Sequence, residues 1–247
     1  MTYRMTVSPD FTPDYIAGWY IFNTWLQKQL GEKIHLELHN DFSSQREAIR
    51  NNQIDIIYAN PFDASVLVRE KGFTALARPA EKSDEAMVVV NAQYPANCIE
   101  DLEADLRLVS TDDPDVHLMG MIMLEPADLS VDSAQIHRAD SYVIVAKQLL
   151  RHEADVGFFL KDAYNGLAKS TRSQLKVLVT SQISVIYHTL LVGPRLAHRQ
   201  ALIRKMLVHM LKAPKGPDVL ASLGFKAWKN VTQEDVEFMI DLMDTLS

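Results

Sequence analysis

Several small groups of polar and aromatic residues stand where they could hold a solute without reacting with it. Tyr58, Asn60 and Phe62 close an apolar, β-branched run from Ile54 to Ala59. Ser8 and Asp10 follow a second such run, Tyr3 to Val7, and Ser110 and Thr111 follow a third, Leu106 to Val109. Ser141 and Tyr142 open a stretch with an apolar face. Hydroxyls, an amide and the free N–H groups of helix starts can hydrogen-bond an oxyanion or another polar solute. Phe62 and Tyr142 could stack on an apolar or aromatic group, and Asp10 and Asp112 could pair with an amine. For each residue a structural role competes: helix capping for the serines and threonine, core packing for the aromatics.

These groups are useful only if strand ends present them. Ile54 to Ala59, stopped by Asn60-Pro61, reads as a buried strand, and Phe62 to Glu70 as a helix that Gly72 closes. Ahead of it, Tyr3 to Val7 reads as a strand and Pro13 to Leu30 as a helix with Gly31 as its C-terminal cap. Tyr15, Trp19, Phe22, Leu26 and Leu30 give that helix one aromatic, core-forming stripe. Ile34, Leu36 and Leu38 alternate with polar residues, the period of a strand, and Ser43 or Ser44 can cap the helix that ends near Asn51. Further strands are expected at 75–78, 87–91, 106–109, 135–137, 156–160, 175–179 and 184–192. Helices are expected at 100–103, 116–124, 141–152, 162–168, 196–211, 218–223 and 233–246, the last capped by Thr232.

Alternating strands and helices indicate an α/β chain. The order suggests two lobes, each a mostly parallel sheet flanked by helices: residues 1–90 with 190–247, and residues 91–189. Two crossings between them would make a hinge, with a small ligand enclosed in the cleft.

Composition narrows the function classes. A formal charge of −7 argues against non-specific nucleic-acid binding. No apolar run approaches the roughly 18 residues needed to cross a bilayer. The start, Met1 to Val7, has no basic segment leading into an apolar one, so the sequence as written reads as cytoplasmic, or as periplasmic if a signal was removed. Cys98 is the single cysteine; no intrachain disulfide or thiolate-rich metal site is available to it, and it reads as structural. His35 and His39 lie on a polar strand face without partners at metal-ligand spacing, and read as solvated. Nucleotide-binding, serine-hydrolase and zinc-protease signatures are missing, and no cofactor is expected.

The chain resembles the phosphate/phosphite/phosphonate-binding proteins of ABC transporters, a type 2 periplasmic-binding-protein family, over nearly its whole length. The matching pieces are Leu30-Gly31, Glu47-Ala48-Ile49 through Asn52, Ile54 and Asp55, and Tyr58-Ala59-Asn60-Pro61-Phe62. Gly72-Phe73 to Leu76-Ala77-Arg78, Ser141 with Ala154-Asp155-Val156-Gly157, and Val179-Thr180-Ser181 follow, then Leu223-Gly224-Phe225 and Val231-Thr232. The resemblance implies a non-catalytic binding protein that closes on a small polar or oxyanionic, phosphonate-like solute for ABC uptake or sensing, with an ABC permease as partner and neither nucleic acid nor membrane insertion. It adds Ser181 to the expected ligand contacts.

Two departures bear on the ligand. Where the family places a hydroxyl-rich loop for the oxyanion, Asp112, Asp113 and Asp115 follow Ser110-Thr111. Each like charge at about 4 Å from a dianion costs roughly 1–4 kcal/mol near a surface. Tyr142 stands where the family has a histidine, and Arg138 or His137 could restore positive charge. An enzyme on the same fold, like those of menaquinone or thiamine-precursor synthesis, is the alternative; the cysteine-rich motif of the latter is missing. A transcription-factor effector domain shares the fold too, but no helix-turn-helix precedes the first strand.

Overall fold

The computed structural model describes residues 2–10, 15–130 and 134–246. The chain begins with β1 (Thr2–Val7), α1 (Ile16–Leu30), β2 (Lys33–Leu36), α2 (Phe42–Arg50), β3 (Ile56–Ala59), α3 (Pro61–Arg69) and β4 (Thr74–Pro79). It continues through β5 (Ala86–Asn91), β6 (Leu106–Ser110), α4 (Pro114–Leu124), β7 (Ala134–Arg138), α5 (Tyr142–Leu150), β8 (Val156–Leu160), α6 (Lys161–Gly166), α7 (Lys169–Arg172) and β9 (Leu175–Thr180). β10 (Thr189–Val192), α8 (Gln200–Val208), α9 (Gly216–Ser222), β11 (Trp228–Asn230) and α10 (Gln233–Leu246) complete it. Two compact units result, Met1–Ser83 with Val185–Asp244, and Asp84–Ser184 with Thr245–Ser247.

In the first unit the strand order is β11-β4-β10-β3-β1-β2. β1, β2 and β3 pair parallel, and β10 enters antiparallel between β3 and β4. The alternation of β1 decides its two faces. Tyr3, Met5 and Val7 pack with the α1 stripe of Trp19, Phe22, Leu26 and Leu30, while Ile57, Ala59 and Leu191 pack with Ala64, Leu67, Val236 and Ile240 on the other side. Gly31 ends α1 at φ 69°, where a side chain would be strained, and its N–H donates to the Gln27 carbonyl at 2.9 Å. Asp41, rather than Ser43 or Ser44, caps α2: its carboxylate accepts the Ser44 N–H at 2.7 Å. The helix starts two or three residues earlier than the serines suggested, with Phe42 buried at its first position. Thr232 and Asp235 cap α10 reciprocally, each taking the other's N–H. Pro13, expected in the first turn of the first helix, lies outside the described residues.

In the second unit the order is β7-β6-β8-β5-β9. β6 pairs parallel with β7 and β8, and β5 runs antiparallel between β8 and β9. α4 can lie close on this sheet because Gly120 has no side chain: a Cβ there would stand 2.4 Å from Phe158 on β8. Both sheets are therefore mixed, with a majority direction and a long-range strand inserted against it. The strand expected from Ser184 is shorter, beginning only at Thr189. Ser184 adopts φ 61°, outside the extended region, and the buried Glu85 carboxylate accepts the Ile183 N–H at 3.0 Å and the Ser184 N–H at 2.8 Å.

Candidate functional site

In the first unit, β1 and β3 deliver their carboxyl ends side by side. Val7 pairs with Tyr58, and the Ser8 N–H donates to the Tyr58 carbonyl at 2.8 Å. β10 starts at the same end, with Thr189 opposite Ala59. Ser8, Asn60 and Thr189 thus share one sheet end, and all three are fully buried. The Asn60 Oδ1 accepts the Asp63 N–H at 2.8 Å as the cap of α3. That bond fixes the amide's orientation and leaves Nδ2 as a donor. Asn60 Nδ2, Ser8 Oγ and Thr189 Oγ1 have no hydrogen-bond partner among the described residues. Buried polar groups are normally satisfied, and one left unmade costs about 1–3 kcal/mol. Three such atoms at one strand end make it a candidate place for a ligand or water.

Charged pairs surround this trio. His188 Nε2 lies 2.9 Å from Asp10 Oδ2, both side chains buried, and the imidazole stacks on the Tyr58 ring with centroids 5.2 Å apart. Tyr58 in turn packs on Trp19, Phe225 and Trp228. Arg46 of α2 donates to Asp63 through Nε at 2.7 Å and Nη2 at 3.4 Å. Its guanidinium lies over the Phe42 and Phe62 rings, at 4.9 and 4.8 Å. Burial pushes the Asp63 carboxyl above its usual range, and the Asp10 charge adds to this; hydrogen bonds and charge from Arg46, with a smaller contribution from His188, pull the other way. Asp10, Asp63, Arg46 and His188 thus form one electrostatic group. Phe62 is 44% exposed.

The second unit presents Ser110, Thr111, Arg138, Ser141 and Tyr142 at the carboxyl end of its own sheet. Ser110 Oγ donates to the Thr111 carbonyl at 3.3 Å, and the same carbonyl accepts from Arg138 Nη1 at 2.8 Å. Asp113 caps α4 by accepting the Val116 N–H at 3.4 Å, and its other carboxylate oxygen accepts the Tyr142 hydroxyl at 2.9 Å. Ser141 caps α5 through the Ile144 N–H at 3.4 Å. His117, on α4, is driven down to about 4 by burial, with the charge of Arg138 adding to the effect. Ser181 stands apart from this group: its hydroxyl accepts the Ala86 N–H at 2.9 Å and donates to the Glu85 carboxylate.

The structure therefore brings together Ser8, Asp10, Tyr58 and Asn60 with Phe62 at their edge, and separately Ser110, Thr111, Arg138, Ser141 and Tyr142. Sequence reading missed Thr189 and the Arg46–Asp63 pair, and did not join His188 to Asp10. Only the insertion of β10 beside β3 brings 188 and 189 to residues 8, 10 and 60, a juxtaposition no local pattern announces. His35 is exposed, and no metal-binding cluster of His, Cys, Asp and Glu occurs among the described residues. No described helix is long and apolar enough to cross a membrane.

The fold is shared with proteins of known structure. PhnD1 from Prochlorococcus marinus in complex with methylphosphonate superposes with a TM-score of 0.85 at 14% identity, covering 99% of this chain and 98% of that one. A binding-protein component of an ABC phosphonate transporter from Pseudomonas aeruginosa gives 0.84 at 14% identity over 99% and 86% of the two chains. The periplasmic aliphatic sulphonate-binding protein SsuA from Escherichia coli gives 0.69 at 13% identity, over 99% and 87%. A comparison with curated proteins by sequence finds no match. The model of the family described as "ABC transporter, phosphonate, periplasmic substrate-binding protein" matches residues 5–236. By that match over nearly all its length, the chain belongs to the periplasmic phosphonate substrate-binding family of ABC transporters.

Proposed function

We propose that this protein binds a small polar solute at the strand end of its first unit and delivers it, from the far side of the membrane, to an ABC permease. Ser8, Asn60 and Thr189 donate to an acceptor oxygen of the solute, Asp10 and His188 set the charge beside it, and the Tyr58 and Phe62 rings flank its apolar part. The second unit's Ser110, Thr111, Arg138, Ser141 and Tyr142 are a second set of contacts available to a solute. The observation that carries the reading is the trio of buried side-chain atoms without partners among the described residues at one sheet end. Membership of a substrate-binding family agrees with it, as do the phosphonate and sulphonate named for structural relatives.

The experiment is a thermal-shift and calorimetric screen of the purified chain against phosphonates, sulfonates, phosphate and small carboxylates. A ligand at 100 times its Kd stabilises by about 2.7 kcal/mol, a rise of roughly 5–10 °C for a chain of this size. The shift should shrink in Ser8→Ala and Thr189→Val. A screen in which a compound is consumed and converted, with no stoichiometric complex, would overturn the binding role.

A further inference from the structure

Beside the first unit's strand end a fourth buried side-chain atom, Gln45 Oε1, has no hydrogen-bond partner among the described residues, and it can only accept. Building on the solute site proposed above, we propose that Gln45 reads the solute too. Its Oε1 accepts a hydrogen bond from an acidic O–H, so the site takes a phosphonate with one P–OH turned to Gln45. A sulfonate has no such hydrogen to give.

The helical period explains how an amide comes to lie there. Phe42, Gln45, Ala48 and Ile49 form the buried face of α2, and Gln45 is the polar member of that stripe. It is fully buried. Its Nε2 donates to the Val7 carbonyl at 2.8 Å and lies 3.4 Å from Thr6 Oγ1. Val7 directly precedes Ser8. The next residue of α2, Arg46, holds Asp63, whose N–H donates to Asn60. The same turn of α2 therefore contacts the end of β1 and the start of α3, which supply Ser8 and Asn60.

Two amides of opposite sense are thus fixed at this place. Turning the Gln45 amide around would set Oε1 against the Val7 carbonyl oxygen, so Nε2 stays the donor and Oε1 stays an acceptor. Asn60 is fixed the other way: its Oδ1 accepts the Asp63 N–H, which leaves Nδ2 as a donor. The Ser8 and Thr189 hydroxyls can rotate to donate or to accept, and so impose nothing. A solute that satisfies both amides must present an acceptor to Asn60 and a hydrogen to Gln45. A fully deprotonated oxyanion presents acceptors alone. A phosphonate that keeps one proton presents both on a single tetrahedral group.

Other groups beside the site also titrate: His188 and Asp10, paired at 2.9 Å, and the buried Asp63 held by Arg46. A proton taken up by any of these would accompany any bound anion. A proton held on the solute accompanies the phosphonate only, which makes a sulfonate the control.

Calorimetric titration of the full chain with methylphosphonate and methanesulfonate tests the proposal. At about pH 8.5, above the second ionisation of a phosphonate, binding methylphosphonate should take up about one proton more than binding methanesulfonate. The proton count is read from how the binding heat varies with the ionisation heat of the buffer. At about pH 5.5, where both probes carry a single charge, methylphosphonate should bind roughly tenfold more tightly, the cost of leaving a buried acceptor unmet. Gln45→Met should abolish the preference and the extra proton while binding methanesulfonate no more weakly, a pattern that a merely structural loss would not give. Gln45→Glu keeps an oxygen at this position and should retain the preference, and it decides the matter if Gln45→Met does not fold. Methylphosphonate binding that weakens in Ser8→Ala and Thr189→Val but brings no extra proton would overturn the role of Gln45 and leave the site standing. So would an extra proton that persists in folded Gln45→Met, or a preference lost in Gln45→Glu. Binding of neither probe, or binding indifferent to Ser8→Ala and Thr189→Val, would overturn the site itself and this inference with it.

Discussion

Thr189→Val separates a ligand-binding hydroxyl from a structural one, because the two roles predict changes of opposite sign. Thr189 sits in β10, opposite Ala59, fully buried, with Oγ1 unpartnered among the described residues. Valine is close to isosteric and suits a central strand, so the substitution exchanges a hydroxyl for a methyl with little repacking. In the ligand-free protein this removes an unmet buried polar group. The desolvation cost of such a group is about 1–3 kcal/mol, and the lower end is the safer figure because water can relieve part of it. A gain of about 1 kcal/mol corresponds to a melting temperature higher by roughly 2–4 °C in a chain of this length. In the complex the same change removes one hydrogen bond to the solute, about 0.5–1.5 kcal/mol, which weakens affinity roughly two- to tenfold. Differential scanning fluorimetry with and without ligand, together with titration calorimetry, reads both numbers. The reasoning fails if the ligand-free variant melts lower than the parent, or if it melts higher but binds with unchanged affinity.

Four other perturbations follow from the same geometry. Arg46→Met leaves Asp63 buried without its partner and should cost roughly 3–5 kcal/mol in urea denaturation. Because the folded pKa of Asp63 is already raised, the stability its neutral form confers is present below the ordinary carboxylate pKa and is lost as pH climbs through the folded value. The Arg46→Met variant should therefore lose more stability than the parent as pH rises above the ordinary carboxylate pKa of about 4. Glu85→Ala strips the acceptor from two backbone N–H groups and the Ser181 hydroxyl, and should lower the unfolding free energy by roughly 2–5 kcal/mol; a change below about 0.5 kcal/mol would contradict the geometry. His117 should titrate near 4 by NMR. The stability it gives is present above the ordinary imidazole pKa of about 6.5 and lost as pH falls through that folded value, so His117→Gln should flatten the acid-side decline. Gly120→Ala forces a Cβ into Phe158 and should destabilise by about 1–3 kcal/mol in equilibrium unfolding, where an ordinary helix position would gain from alanine.

Much of the fold could be read along the chain because its signals are local. The aromatic stripe of α1 repeats every turn, Gly31 and Gly72 stop helices at positive φ, and Asn60-Pro61 breaks one element and opens the next. Such patterns depend on residues within a few positions of one another, and the energetics of capping and alternation act over that same range. The run at 184–192 shows where this reading stops. Its apolar residues suit a strand throughout, yet only Thr189–Val192 is strand, and at its start Ser184 has positive φ and gives its N–H to a carboxylate about a hundred positions earlier in the chain.

The site divides in the same way. Ser8, Asp10, Tyr58 and Asn60 could be named as candidates because strand ends in α/β proteins collect ligand contacts, and residue type names what each can donate or accept. Their number in sequence could not show that Ser181 is engaged by Glu85, that Tyr142 donates to Asp113, or that Arg46 is already paired with Asp63. The sequence by itself determined which hydrogen-bonding and charged groups exist and which elements carry them. Tertiary structure alone decided which of those groups remain available, because β10 returns from the far end of the chain to lie beside β3, bringing His188 against Asp10 and Thr189 into line with Ser8 and Asn60. Burial then removes the water that would otherwise satisfy each group separately, so pairing among distant residues fixes the charge and the donors left for a solute.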